Sequence, residues 1–319
     1  MNLTLSVIIP VYNCERFIRK AVESILQQPE VTEIVVVNDG STDGTALLLD
    51  ELQEQNSILK IYHHENKLNK GRSASRNLGI QKAAGNYIAF LDADDYFLPN
   101  RFTNDFLLFR ENRNCDGVYN AVGFHYYRDP TDAEVKENKL YTVNTVLQSE
   151  RLFIALLYGK HGHFHINGLT VKKNVFETVG FFNEALVVAE DTEMFWKMAL
   201  KCRLITGIIK QAIAIRGVHD NNVFVNKELY ATFTIKMFET LLQWCVTSQV
   251  SGTIKDELLK WIWILKEKQN NSLWSNCRYW SSLFVPQPQL FFSILSVKYF
   301  PLVRFRQVLF PFLYRNKLM

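Results

Sequence analysis

Short apolar runs alternate with helix-like segments over the first hundred residues, and this alternation limits the possible folds more than any other feature of the chain. Mostly apolar runs lie within residues 33–38, 58–62 and 87–91, and a first one starts at Ser6. Between them, apolar residues recur at helical spacing, as from Phe17 to Leu26. Continuous apolar strands alternating with helices are typical of parallel sheets covered on both faces. The sequence therefore predicts an α/β fold with a mostly parallel central sheet flanked by helices.

Three aspartates follow the fourth apolar run directly, in the order Asp92-Ala93-Asp94-Asp95. Hard cations such as Mg²⁺ and Mn²⁺ take carboxylate oxygens and keep open positions for a substrate phosphate. Ligands of such sheets bind outside the carboxyl ends of the strands, where Pro10 to Tyr12 follow strand one and Asp39 follows strand two. The aspartates therefore indicate a metal site for a phosphorylated ligand. A polar loop after a buried strand is the alternative, and Asp95 or Asn100 could cap the helix expected over 101–110.

Four motifs along the chain together resemble those of the inverting glycosyltransferases of family 2, which have the A-type nucleotide-sugar transferase fold, GT-A. The similar segments are Ser6–Asn13, Asn38–Thr45, Asn69–Gly79 and Leu91–Asp95. Each motif is weak alone, but the ordered set across the first hundred residues is specific. Ser75 is a departure, because the family usually has alanine before the arginine. Serine is also small, so we expect the change to be harmless.

The resemblance divides the chain into a catalytic domain and an appendage. It implies a GT-A catalytic domain in residues 1–225, with a nucleotide-sugar half at 1–115 and an acceptor half at 116–225. Residues 226–319 are expected to form a helical C-terminal region with many aromatic and basic side chains. A chain of 319 residues is long enough for one large core and such an appendage.

On the nucleotide-sugar side, the resemblance implies that Asp39 accepts a hydrogen bond from the base and that Asp94 binds Mn²⁺ or Mg²⁺. Asp92 would support the ribose or the metal, and Arg76 would offer forked donors to phosphate or base oxygens. An ion pair of Arg76 with Asp39 or Asp92 is the structural alternative, and both roles are compatible. The implied nucleotide-sugar contacts are Pro10, Tyr12, Asp39, Arg76, Asp92 and Arg216.

On the acceptor side, transfer to a hydroxyl requires a base. Glu190-Asp191 resembles the family's Glu-Asp motif, which makes Asp191 the general base and Glu190 a residue that orients the acceptor. Acids that only favour the helix dipole are the alternative. Gly168 would permit close approach of the sugar. His219, in a segment that resembles the family's closing loop, would contact the metal or the diphosphate, or it is a surface histidine.

The implied reaction moves a hexose from a nucleoside-diphosphate sugar in one metal-assisted displacement with inversion, without a covalent intermediate. UDP is the expected nucleotide, with GDP or dTDP as alternatives, and the acceptor would be a saccharide or lipid-linked saccharide in surface polysaccharide synthesis. An inactive sugar-binding protein on the same fold is disfavoured, because every expected acid is present. A phosphatase is disfavoured by Tyr96, which stands where an aspartyl phosphatase has threonine. A nucleotidyltransferase is disfavoured because no glycine-rich basic loop follows strand one.

His161, His163 and His165 alternate, so on an extended strand they would share one face. Such a row could bind zinc, but no cysteine stands at a zinc-like spacing and a further ligand is unspecified. Lining of the acceptor site, or a plain loop, is the favoured interpretation.

The C-terminal segment 268–319 contains seven Lys and Arg residues, no acid and many aromatic residues. This mixture is typical of segments at the surface of an anionic membrane, and it fits nucleic acid poorly. Aromatic packing on the catalytic domain is the alternative.

Five scattered cysteines favour a reducing compartment, and residues 1–13 are interpreted as a strand rather than a secretory leader. We therefore expect a cytoplasmic protein attached to the inner face of the membrane through 268–319.

Overall fold

The computed structural model describes residues 3–132, 134, 140–220, 222, 227–269 and 272–305. The chain forms two compact units, Met1–Asn226 and Lys227–Met319. The described strands of the first unit are β1 (Leu5–Val11), β2 (Val31–Asn38), β3 (Leu59–His63), β4 (Tyr87–Phe90), β5 (Tyr96–Phe97), β6 (Gly117–Tyr119), β7 (Val122–Tyr126), β8 (Leu169–Lys172), β9 (Leu204–Thr206) and β10 (Ala214–Val218). Its described helices are α1 (Ile18–Leu26), α2 (Thr45–Gln55), α3 (Arg72–Lys82), α4 (Thr103–Glu111), α5 (Ser149–Tyr158), α6 (Val175–Val179) and α7 (Glu190–Lys201).

Seven strands form the central sheet, in the order β3-β2-β1-β4-β8-β6-β9. The pairs from β3 to β4 are parallel, and so is the pair of β6 with β9. Only β8 runs against its neighbours β4 and β6. Every residue of β1 is buried, which explains its continuous apolar run because both faces of the sheet are covered. The predicted mostly parallel α/β sheet is confirmed.

The chain order of the strands reverses at β1, which lies between β2 and β4. In open α/β sheets this reversal leaves a crevice at the carboxyl ends of the strands. Because β1, β2 and β4 are parallel, the turns that follow them meet at this edge. A second, three-stranded sheet has the order β5-β10-β7, so that β10 pairs with both β5 and β7. Its first strand, β5, follows the β4 turn in the chain.

The second unit is helical in its described part. Its helices are α8 (Lys227–Thr247), α9 (Gly252–Glu267), α10 (Leu273–Phe284), α11 (Pro288–Phe291), α12 (Ile294–Tyr299) and α13 (Pro301–Arg304). Trp280 is buried against Trp263 and Tyr299, with ring centroids 5.5 and 6.0 Å away. The Tyr299 hydroxyl donates to Asp256 at 2.8 Å. Among the described helices, none combines the length and the apolar composition that crossing a bilayer requires.

Candidate functional site

A cleft of about 470 Å³ opens at the carboxyl ends of β1 and β2. Its walls include predicted nucleotide-sugar contacts from two strands, together with residues of the third motif and the segment before α7. They are Pro10, Tyr12, Asp39, Gly71, Arg72 and Val187. A larger cavity of 890 Å³ lies around Tyr87 and Lys172, at the opposite end of β4. We assign the site to the smaller cleft because it alone of the two contains the predicted residues at the strand ends.

The Asp39 carboxylate is buried and ties the turn after β2 to the start of α3. One oxygen accepts the Lys70 backbone N–H at 2.7 Å, and the other accepts that of Gly71 at 2.9 Å. Gly71 has a φ of +86°, a left-handed conformation that glycine adopts without strain. His64 lies 3.5 Å from the same carboxylate. Asp39 is thus fixed in the cleft wall, with acceptor capacity left for a ligand N–H.

The Arg76 guanidinium joins the β4 turn to the start of α7. Nη1 donates to Glu190 Oε1 at 2.9 Å, and Nη2 donates to Asp92 Oδ1 at 2.8 Å. Arg72, in the cleft wall, contacts the same Glu190 oxygen at 2.7 Å. Of the two partners that the sequence allowed for Arg76, the structure shows Asp92. Burial and the Asp191 charge raise the pKa of Glu190, although both arginines oppose this.

The same guanidinium controls the ionisation of Asp92. Burial alone would raise the pKa of this carboxyl, but the charges of Arg76 and His165 and the Arg76 hydrogen bond lower it to about 2. Asp92 therefore remains an anion at neutral pH. The Arg76 Nε atom is buried without a hydrogen-bond partner among the described residues. This side of the guanidinium therefore retains one unused donor.

Asp94 and His219, both predicted to bind metal, lie in contact although 125 residues separate them. His219 Nε2 is 2.9 Å from Asp94 Oδ2, and Asn222 Nδ2 donates to the same oxygen at 3.1 Å. The His219 ring stacks on Phe17 at 5.0 Å. Analysis of the sequence did not single out Asn222, because only its place in the closing loop could have indicated a role.

Asp95 is buried, and its function in the structure is not to cap a helix. Gly217 donates its backbone N–H to one Asp95 oxygen at 2.7 Å, and the Asn167 amide donates to the other. Helix α4 begins only at Thr103, so the proposed cap at Asp95 was wrong. Burial and the charges of Asp94 and Asp92 raise the pKa of Asp95 well above its ordinary value. Three acids concentrated in this way favour a cation beside them.

Ligand atoms of Asp92, Asp95 and His165 lie within 4.8 Å of one another. Carboxylate oxygens with an imidazole nitrogen suit Mn²⁺ and related ions. The Asp94–His219 pair offers a second set of the same donor types, and its side chains are more exposed than Asp95. The residues present therefore fit a divalent cation at the β4 turn.

The three alternating histidines do not form a zinc row. His165 joins Asp92 and Asp95, and the described residues show no cluster that contains His161 or His163. Burial lowers the pKa of His163, and the charge of Asp191 opposes this, which places His163 near the predicted base. The favoured interpretation, lining of the acceptor site, stays a prediction.

Asp191 lies in the first turn of α7, next to Glu190. Glu190 is only 2% exposed, whereas Asp191 is partly exposed and accepts the Thr192 backbone N–H at 2.7 Å. Asp191 also acts electrostatically on Arg76 and on His165. Of the two acids, Asp191 is thus the more exposed. Burial lowers the pKa of His165, and the charge of Arg216, on β10, lowers it further.

Gly168 has a packing reason to be glycine. A Cβ atom there would lie 2.4 Å from the Asn120 carbonyl oxygen. The residue is buried in the turn Ile166–Gly168 that precedes β8. Its predicted contact with a sugar remains a prediction.

The sequence profile of Glycosyl transferase family 2 matches residues 6–174, which is more than half of the chain. The chain belongs to this family. The four motifs in the sequence predicted this family. Glycosyltransferase GlyA of Streptococcus pneumoniae serotype 4 is 28% identical over 245 residues, which cover 71% of this chain and 30% of GlyA. This family 2 chain thus spans less than two thirds of that relative's length.

Two solved structures share the fold of this family 2 chain. S. aureus TarS 1-349, in complex with UDP-GlcNAc, has a TM-score of 0.66 and 17% identity, over 96% of this chain and 87% of that one. The mannosyltransferase PcManGT from Pyrobaculum calidifontis, in complex with GDP-Man and Mn²⁺, has a TM-score of 0.52 and 16% identity over the same shares. The predicted GT-A fold is confirmed.

Proposed function

We propose that this glycosyltransferase transfers a hexose from a nucleoside-diphosphate sugar to a hydroxyl of a saccharide or lipid-linked saccharide, in one displacement with inversion. The main support for the proposal is the pair of hydrogen bonds from Arg76, because they join Asp92 on the donor side to Glu190 beside the predicted base. The nucleotide sugars in the TarS and PcManGT complexes support such a donor. UDP is our first choice of nucleotide, with GDP or dTDP as alternatives.

On the donor side, the nucleotide would lie in the cleft along Pro10 and Tyr12, with its base against Asp39. The fixed Asp39 carboxylate can accept an imide N–H without rearranging. Arg216 would contact the diphosphate, and Arg76 would hold Asp92 as an anion near the ribose. These roles give the nucleotide a preformed site in which only the sugar remains to be oriented.

Mn²⁺ or Mg²⁺ would be held by Asp94 with Asp92 and His219. A bound divalent cation supplies charge that stabilises the departing diphosphate. On the acceptor side, Asp191 would take the proton of the attacking hydroxyl. Glu190, buried between two arginines, would fix the start of α7 and thereby the direction of Asp191.

Metal removal gives the direct test. We expect release of nucleotide from at least one member of a panel of nucleotide sugars, measured by mass spectrometry with Mn²⁺ and a saccharide mixture. EDTA should abolish it, and added Mn²⁺ should restore it.

Asp94→Asn should lower the rate by about 10²-fold or more, since a metal ligand is lost. Asp50→Asn, at an exposed position of α2, is the matched control and should retain the rate. Activity that survives EDTA would contradict the metal assignment, and no release from any donor would favour the inactive sugar-binding alternative.

We further propose that the second unit binds an anionic membrane surface and keeps the protein at the cytoplasmic inner face. Three large apolar side chains, Trp274, Phe292 and Ile294, are more than 80% exposed there. The basic residues Lys268 and Arg278 are exposed in the same unit, and no acid follows Glu267 in the sequence. Exposed apolar groups with positive charge suit anionic headgroups. The basic residues after 305 lie outside the described residues.

Vesicle binding tests this surface. We expect the protein to sediment with phosphatidylglycerol vesicles at low salt, less at high salt, and weakly with neutral vesicles. Phe292→Ser with Ile294→Ser should weaken binding about tenfold or more, because two large side chains lose their burial in lipid. Leu47→Ser removes an exposed apolar residue of the first unit and should leave binding unchanged. Equal binding by all these proteins would rule the surface out.

A further inference from the structure

We propose that Asn167 is a positioning residue, which holds the Asp92–Asp95 turn in the shape that binds metal and diphosphate. Its side chain is fully buried. Its Oδ1 accepts the backbone N–H of Asp92 at 3.2 Å, and its Nδ2 donates to the Asp95 carboxylate. One amide therefore contacts both ends of the four-residue turn. This inference rests on the proposed function only for what the turn binds.

Asn167 is itself fixed through its main chain. Arg101 donates to the Asn167 carbonyl oxygen from Nε at 3.2 Å and from Nη2 at 3.1 Å. The guanidinium is held in turn by Asp105 at 2.7 Å. The Asn167 N–H points to His165 Nδ1 at 3.4 Å, a long contact that adds little. A buried side chain held in this way can hold the turn in a single conformation.

Asp95 extends the connection to the strand that leads to His219. Its second hydrogen bond comes from Gly217, in β10. A Cβ atom on Gly217 would lie 2.4 Å from the Asp94 carbonyl oxygen, so strand and turn pack backbone to backbone. The contacts of Asn167 and Asp95 thus set how Asp94 faces His219. Asp95 is buried and uses both oxygens within the protein, whereas the proposed ligands Asp94 and Asp92 are the more exposed carboxylates of the turn.

A reciprocal exchange isolates this contact. Asn167→Asp places two carboxylates against each other, and Asp95→Asn leaves two amides that cannot satisfy both Asn167 and Gly217. The double variant Asp95→Asn/Asn167→Asp restores one amide against one carboxylate, with acceptors left for Asp92 and Gly217. A positioning role therefore predicts that the exchange repairs what each single change damages.

The measurement is calorimetric titration of the full chain with UDP, with and without Mn²⁺. In the wild type, Mn²⁺ should tighten UDP binding. Each single variant should weaken UDP binding with Mn²⁺ by about 10- to 100-fold, the usual effect of losing a residue that supports a metal ligand. UDP binding without Mn²⁺ should change much less, because the base contact at Asp39 does not involve Asn167. The exchange variant should recover most of the lost affinity.

Asn56→Ala is the matched control, since it removes a half-buried amide of the first unit that contacts neither Arg101 nor Asn167. Asn56 Nδ2 donates to the Leu52 carbonyl oxygen at 2.8 Å. It should lower thermal stability and leave the Mn²⁺ effect intact. If Asn167→Asp does not fold, Asp95→Asn tests the same contact from the other side. Single variants that keep the full Mn²⁺ effect would overturn the inference, and so would an exchange variant as weak as the singles. A wild type without any Mn²⁺ effect would instead overturn the metal part of the proposed function.

Discussion

Replacing Asp191 with asparagine is expected to lower the rate of sugar transfer by about 10²- to 10⁴-fold at saturating donor. The side chain keeps its size, so α7 and the neighbouring Glu190 contacts should persist. What is lost is the ability to take the proton of the attacking hydroxyl, because an amide is not a base near neutral pH. UDP binding, measured by calorimetry, should stay at the wild-type value. A loss confined to the rate at saturation identifies a group that acts in the transition state.

The alternative for Asp191 is that it only stabilises the start of α7. Glu177 provides the comparison, since it is an exposed acid in the first turn of α6. Glu177→Gln should remove the interaction with the helix dipole and so lower the unfolding free energy by about 0.3–1 kcal/mol, without changing the rate of transfer. If Asp191→Asn behaves in the same way and transfers at a near-normal rate, Asp191 is a dipole residue and the base lies elsewhere.

The first half of the fold was readable from the sequence because its information is local. Residues 34–37 are apolar because this part of β2 is fully buried, and the strand covers Val31–Asn38. The turns that follow these strands carry polar residues at fixed places, and parallel pairing alone brings them to one edge. The antiparallel β8 and the second sheet gave no such signal, because these strands are only two to five residues long.

The pairing of charged groups inside the site could not be read in the same way. The sequence suggested Asp39 or Asp92 as the ion-pair partner of Arg76, and the structure adds Glu190, which lies 114 residues further along the chain. Asn167 and Asp95 are 72 residues apart, and nothing in either segment points to the other. Such contacts depend on how β8 and β10 approach the β4 turn. The residue types were therefore predictable, whereas their partners required the tertiary structure.

Removing the Asp105 carboxylate is expected to lower the unfolding free energy of the first unit by about 3–5 kcal/mol. Asp105 and Arg101 are both fully buried and joined at 2.7 Å. Asp105→Ala leaves the Arg101 guanidinium buried without its counter-charge, and it also leaves Asn120 and Thr170 without the carboxylate that they contact. Urea unfolding of the full chain, followed by intrinsic fluorescence, measures the loss.

Desolvation determines what a second change at this pair would do. Burial raises the pKa of Asp105 and lowers that of Arg101, in both cases against the attraction between them. Burial therefore disfavours both charges, and Asp105→Ala combined with Arg101→Met should be more stable than Asp105→Ala alone. The exposed pair of Arg19 with Glu51 is the control, and Glu51→Ala should cost only about 0–1 kcal/mol. A double variant less stable than Asp105→Ala would instead show that the Arg101 hydrogen bonds to Asn167 outweigh the cost of its unpaired charge.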